Sequence, residues 1–155
     1  MLQYLNFENR DVAGQVESLY KRQLLTKEQA DAVDTPALKR FLYSPLAEEI
    51  RMGRNVRREY RFTLLVEARK YFPEIMSDDT MLLQGVVDCC FEREDGLTVV
   101  DFKTDHIRTQ EELAQRTAHY RSQLETYSLA LERVLGKRII RRVLDFLRTG
   151  DTVEL

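Results

Sequence analysis

Three side chains near the middle of the chain could do chemistry together. Asp88 ends the run Leu83-Gln84-Gly85-Val86-Val87-Asp88, and Asp101 and Lys103 lie in Val100-Asp101-Phe102-Lys103. Two carboxylates and a lysine are the minimum for metal-dependent cleavage of a phosphodiester. Carboxylate and carbonyl oxygens are the ligands hard cations prefer, and Asp88, Asp101 and the Phe102 carbonyl could hold Mg²⁺ or Mn²⁺. A lysine beside them could orient the attacking water and offset charge building on the phosphate. Plainer readings stand beside this one. Asp88 alone reads as a satisfied hydrogen-bond acceptor near a strand end, and Asp101 with Lys103 as a surface ion pair.

The flanking pattern says what must position these groups. Leu82 to Phe91 is nearly all apolar except Gln84 and Asp88, and Leu97 to Phe102 reads as the next strand, with Leu97, Val99 and Val100 apolar. Glu94-Asp95-Gly96 between them predicts a hairpin turn. Side chains at i and i+2 of a strand share a face, so Asp101 and Lys103 project together, and the hairpin can bring Asp88 to the same end. The alternation of Tyr60, Phe62, Leu64 and Val66 predicts a further strand, beginning near Val56. A long helix is expected from Thr109 to Leu135, stopped by Gly136. Ile139 to Leu147 returns as a strand, and Thr149-Gly150-Asp151 turns into a short last one.

The first third reads as helical. Met1 to Arg10 looks like a helix already under way, followed by helical spacing over 11–25. Thr26 to Gln29 predicts a capping box that opens a short helix to about Val33. Asp34-Thr35-Pro36 and Ser44-Pro45 open two more, the second ending at Gly53. The order is helices over 1–55, then over 56–155 a three-strand meander, a long helix and a returning strand. It implies one α/β domain with a mixed sheet flanked by helices.

A second group lies on the long helix. Gln123 and Tyr127 are spaced i, i+4, and Tyr120 precedes Gln123 by one turn on the same side, so an amide and phenols face one way. They could hold a water or a phosphate, or they could be a half-exposed helix face. Leu124 and Leu131 on the neighbouring stripe read as core. Arg51, Arg54, Arg57, Arg58 and Arg61 form one basic cluster, and Lys137, Arg138, Arg141 and Arg142 a second. Either could meet phosphates without reading bases, or be a solvated or subunit-facing surface.

Composition narrows the class. The 155 residues carry 24 basic and 26 acidic side chains, so any nucleic-acid contact must be local. Cys89 and Cys90 are adjacent. They offer neither a disulfide nor metal-ligand or iron–sulfur spacing, and argue for a reducing, cytoplasmic setting. On one strand they point to opposite faces and read as packing. No apolar run approaches a membrane span. No G-x-x-x-x-G-K-[ST] loop is present, so ATP has no site in this sequence.

An Asp, then Asp-x-Lys, then Gln-x-x-x-Tyr, in that order, resembles the RecB-family nucleases of the PD-(D/E)XK superfamily. The wording of Phe41 to Leu46, Arg57 to Glu59, Leu83 to Asp88, Val100 to Asp105, Tyr120 to Leu124 and Phe146 to Gly150 is similar to the C-terminal nuclease domain of AddA-type helicase–nucleases. The resemblance implies a metal-dependent exonuclease acting in double-strand break repair and recombination. A single DNA strand would reach it from an ATP-driven motor in the same full-length chain, with an AddB-like partner protein. By that resemblance Asp88, Asp101 and Phe102 hold the metal, Lys103 is the catalytic lysine, and Gln123 and Tyr127 support it. Glu59 matches an acidic family position, and equally fits a cross-strand partner for a nearby arginine.

One departure is expected to matter. The family carries a metal-binding histidine on an early helix, just before the part resembling Met1 to Phe7. His106 and His119 do not match it, so this stretch reads as a fragment of a longer chain with weakened metal binding. The rival expectations are a catalytically silent DNA-binding or docking module of the same fold, and a PD-(D/E)XK nuclease acting alone.

Overall fold

The computed structural model describes residues 1–70, 74 and 79–155. Four short helices come first: α1 (Val12–Lys21), α2 (Lys27–Asp31), α3 (Thr35–Leu42) and α4 (Pro45–Met52). Then follow β1 (Arg54–Glu67), β2 (Thr80–Glu92), β3 (Leu97–Lys103), α5 (Gln110–Leu135), β4 (Ile139–Phe146) and β5 (Asp151–Glu154). Polar caps set the helix starts. The side chains of Asp34, Ser44 and Thr109 each accept the backbone N–H three residues on, at 2.9, 3.2 and 3.1 Å. Thr26 and Gln29 exchange both bonds of the expected capping box. Gly136 closes α5 with φ 64°, a conformation costly for any residue with a Cβ. Gly53 ends α4 differently, in extended backbone.

The N-terminus corrects the sequence reading. Met1 to Arg10 is not helical; the first helix starts at Val12. Local side chains take the backbone donors that a helix would need. Asn6 Oδ1 accepts from Glu8 N and Asn9 Oδ1 from Asp11 N, both at 2.9 Å. Gln15 then reaches back from α1 to bond the carbonyls of Asn6 and Asn9.

The sheet order is β1-β2-β3-β4-β5, with β3 and β4 parallel and the other neighbours antiparallel. A parallel pair needs a crossover, and α5 is it. The sheet has an apolar core on each face. One packs Leu5, Phe7 and α1, α3 and α4 against Cys89, Phe91, Val100 and Val143. The other packs Leu124, Ala130 and Leu131 of α5 against Phe62, Val87, Cys90, Val99 and Leu144. Cys89 and Cys90 thus serve opposite cores, as expected. Burial pushes their thiols up to about 12 and 11, so both stay protonated and pack as small apolar groups.

Candidate active site

The site grows from a fork in the sheet. β2 pairs with β3 only from Glu92↔Leu97 to Cys89↔Val100, while it stays with β1 as far as Thr80. Past Cys89 the two strands therefore separate. Asp88 is the first residue beyond the fork on β2, and Asp101 the first on β3. Asp88 Oδ2 accepts the Phe102 N–H at 2.8 Å, a side chain standing where a strand carbonyl would have been. The charges of Asp101 and Glu59 both bear on the Asp88 carboxyl. The fork thus brings Asp88, Asp101 and Lys103 to one end of the β2–β3 pairing.

On the α5 side, Lys103 Nζ lies 2.7 Å from Asp101 Oδ2, and both side chains are mostly buried. Asp101 Oδ2 is buried, and the Lys103 ammonium is the charge that compensates it. Gln123 Oε1 lies 3.5 Å from Lys103 Nζ, and Gln123 Nε2 donates to Tyr127 Oη at 3.3 Å. Tyr127 thereby decides which end of the amide faces the lysine. Tyr127 in turn stacks edge-on against Phe62, ring centroids 5.6 Å apart. Gly85 permits this. A Cβ there would stand 2.6 Å from the Phe62 ring and 3.1 Å from that of Tyr127. So the glycine of the Gln84-Gly85 pair is a packing requirement of the Gln/Tyr pair.

On the opposite side a cleft of about 390 Å³ opens onto Asp88 and Glu59, walled by Leu2, Val33, Leu38, Phe102 and Leu147 among others. Glu59 stands in β1 between Arg58↔Cys89 and Tyr60↔Val87. Its φ of 50° is left-handed. For a residue with a Cβ that costs about 1–2 kcal/mol, strain of the sort that collects at functional sites. Asp88 is pushed up to about 7, first by burial, against the Phe102 N–H that opposes it, and then by the charges of Asp101 and Glu59.

Do these residues fit a hard divalent cation? Among the described residues, no three His, Cys, Asp or Glu side chains form a ready metal cage. The fork nonetheless offers oxygen donors alone. The Asp88 carboxylate, raised first by burial and then by Asp101 and Glu59, is relieved by a cation. The donor set fits Mg²⁺ or Mn²⁺, with Asp88, Asp101 and the Phe102 carbonyl as holders. His106 and His119 are exposed. His119 packs on the Tyr120 ring, outside this group.

The five arginines do not make one patch. Arg51 is nearly buried, bonding the carbonyls of Phe7 and Leu42 as well as Glu48. Arg58 bonds those of Leu2 and Leu5 and stacks on Phe7. Both arginines thus fasten the non-helical N-terminus. Arg57 turns to Asn55 and Glu92. Arg54 and Arg61 remain exposed. In the second cluster, Lys137 pairs with Glu92, and Arg141 with Glu49 and Glu154.

The sequence reading missed one assembly. Tyr120 Oη donates to Asp105 Oδ2 at 3.0 Å, Asp105 pairs with Arg116 at 3.3 Å, and the Tyr120 ring faces Lys103 Nζ. The signal available was Tyr120 one turn before Gln123, but nothing local pointed to Asp105.

A mixed five-stranded sheet flanked by helices is consistent with the PD-(D/E)XK nuclease fold, and the sequence comparison agrees. The family model of the PD-(D/E)XK nuclease superfamily matches residues 6–150, and the chain belongs to that superfamily. Within it, the chain is similar to ATP-dependent helicase/nuclease subunits of type A. It is 36% identical to the protein so named from Ruminiclostridium cellulolyticum, over the whole of this chain and 13% of that protein. It is 34% identical to that from Acetivibrio thermocellus, over 90% of this chain and 11% of that protein. The figures for Heliobacterium modesticaldum are 36%, 93% and 11%. The chain thus spans about an eighth of the length of these curated relatives.

Proposed function

We propose that this domain is a Mg²⁺-dependent deoxyribonuclease that hydrolyses single-stranded DNA, working inside an ATP-driven helicase–nuclease of double-strand break repair and recombination. The observation that carries the reading is the fork: Asp88 and Asp101 as the first residues past it on adjacent strands, Lys103 on Asp101, and the apolar cleft opening at Asp88. The context rests on the helicase/nuclease names of the relatives. In it the strand arrives from a motor in the same full-length chain, beside an AddB-like partner in the cytoplasm. Among the described residues, no helix is long and apolar enough to cross a membrane.

Each group has a task set by its surroundings. Asp88 and Asp101 present the oxygens, with the Phe102 carbonyl. When bound, the cation would supply Lewis-acid polarisation of the phosphate and a more acidic water. Lys103 stands on the α5 side of Asp101, where its ammonium can hold the attacking water and meet charge growing on the phosphate. Gln123 limits where that ammonium goes, and Tyr127 fixes the amide. Burial keeps Asp88 basic enough to need a cation, and Asp101 and Glu59 add to it. Of the first arginine cluster, Arg54 and Arg61 are the exposed members left to meet DNA phosphates. Lys103→Ala or Asp101→Ala in the full-length protein should lower Mg²⁺-dependent release of nucleotides from an end-labelled single strand by about 10³-fold or more. Unchanged cleavage in both variants would refute the assignment.

A further inference from the structure

Tyr120 has no role in the mechanism above, yet it touches the lysine. Lys103 Nζ lies 4.0 Å from the centroid of the Tyr120 ring. The ammonium therefore sits among Asp101 Oδ2 at 2.7 Å, Gln123 Oε1 at 3.5 Å and an aromatic face. The ring is itself tied down. Its hydroxyl donates to Asp105 Oδ2 at 3.0 Å, and Asp105 Oδ1 pairs with Arg116 Nε at 3.3 Å. Asp105 follows the end of β3, while Arg116 and Tyr120 lie one turn apart on α5. The three side chains buckle the strand that carries Lys103 to the helix that carries Gln123. Burial and the Asp105 bond raise the Tyr120 phenol, which keeps it an O–H donor.

A flexible lysine needs such a boundary, because its four-carbon stem leaves the ammonium many positions. The π face attracts the cation without offering a lone pair that competes with a phosphate oxygen. A third carboxylate at the same place would hold the ammonium back from the phosphate.

We propose that Tyr120, held by Asp105 and Arg116, is a positioning residue that aims Lys103 at the scissile phosphate. The inference rests on the nuclease reading. Its test is steady-state cleavage of a labelled single strand by the full-length protein. Tyr120→Leu should lower kcat roughly 10- to 100-fold with KM within about twofold, the effect of a misaimed catalytic group. Tyr120→Phe keeps the ring face and should recover most of that loss. Asp105→Asn, which leaves the ring in place, should lower kcat by only a few-fold and guards against a Leu variant that folds poorly. Joined to Lys103→Ala, Tyr120→Leu should add nothing further, because both act through one group. The inference is overturned if Tyr120→Leu cleaves at the parent rate, if Phe is as slow as Leu, or if the losses multiply in the double variant. If Lys103→Ala alone cleaves normally, the nuclease role of the lysine fails instead.

Discussion

The two faces of the sheet meet the carboxylate fork with opposite chemistry. On the α5 face each polar group is held by another: Lys103 by Asp101, Gln123 and the Tyr120 ring, and Gln123 by Tyr127. On the other face Asp88 and Glu59 bring like charge to the mouth of a cleft with apolar walls. One half is balanced by the chain's own residues. The other is a place where positive charge is strongly favoured. In the proposed roles, the lysine and Asp88 are thereby kept on separate faces, joined through Asp101.

That contrast breaks most visibly through the lysine, where the loss of about 10³-fold from Lys103→Ala should come in kcat rather than in Mg²⁺ affinity. Asp88→Asn should do the reverse, abolishing divalent-cation binding measured by calorimetry while leaving the α5 face intact. If both variants lost cation affinity equally, the division between the faces would be false.

Gly85→Ala comes next in size, because its methyl would intrude on Phe62 and Tyr127. Denaturant unfolding should show a loss of about 1–3 kcal/mol, the usual cost of overpacking. Cleavage by the folded fraction should also fall, since Gln123 loses its fixed acceptor. A stability loss with cleavage per folded molecule unchanged would separate Gly85 from the site.

The two faces also differed in how far they could be read from the sequence. Strand and helix periodicity put Asp101 with Lys103, and Gln123 with Tyr127, on shared faces, but each of these groups alone also fitted a plainer reading, and only the family resemblance joined them into a site. The order of strands and the crossover helix followed from the same periods and from the caps at Thr109 and Gly136. The arginines were not legible. Arg51 and Arg58 look like solvated cations in sequence, and only the tertiary path of residues 1–7 turns them toward backbone carbonyls. The helix expected there failed for a local reason, the Asn6 and Asn9 side chains that capture neighbouring N–H groups. The Asp105–Tyr120 link joins a strand end to a helix, which periodicity does not reach.

A smaller effect sharpens the acidic face. Asp88 sits near 7 in the fold, above its ordinary value of 3.8. The folded state therefore holds a proton that the unfolded chain releases, so metal-free stability should fall as pH rises from about 4 to 7 and level off above. Asp88→Asn should flatten that slope and stabilise the metal-free chain at pH 8 by on the order of 1 kcal/mol. A slope of the same size in the variant would assign it to other groups. Smaller still, Arg61→Ala should weaken single-strand binding a few-fold and reduce its salt dependence, while Arg51→Ala should lower stability and leave the salt dependence alone.

The central claim is that the fork between β2 and β3 holds a divalent cation. Crystals soaked in Mn²⁺ and measured at the manganese absorption edge test it most directly. The account predicts an anomalous peak between the Asp88 and Asp101 carboxylates, about 2.0–2.4 Å from their oxygens and from the Phe102 carbonyl, and none in Asp101→Asn. Manganese bound elsewhere, or an empty fork with Lys103 still closed on Asp101 at saturating Mn²⁺, would contradict it.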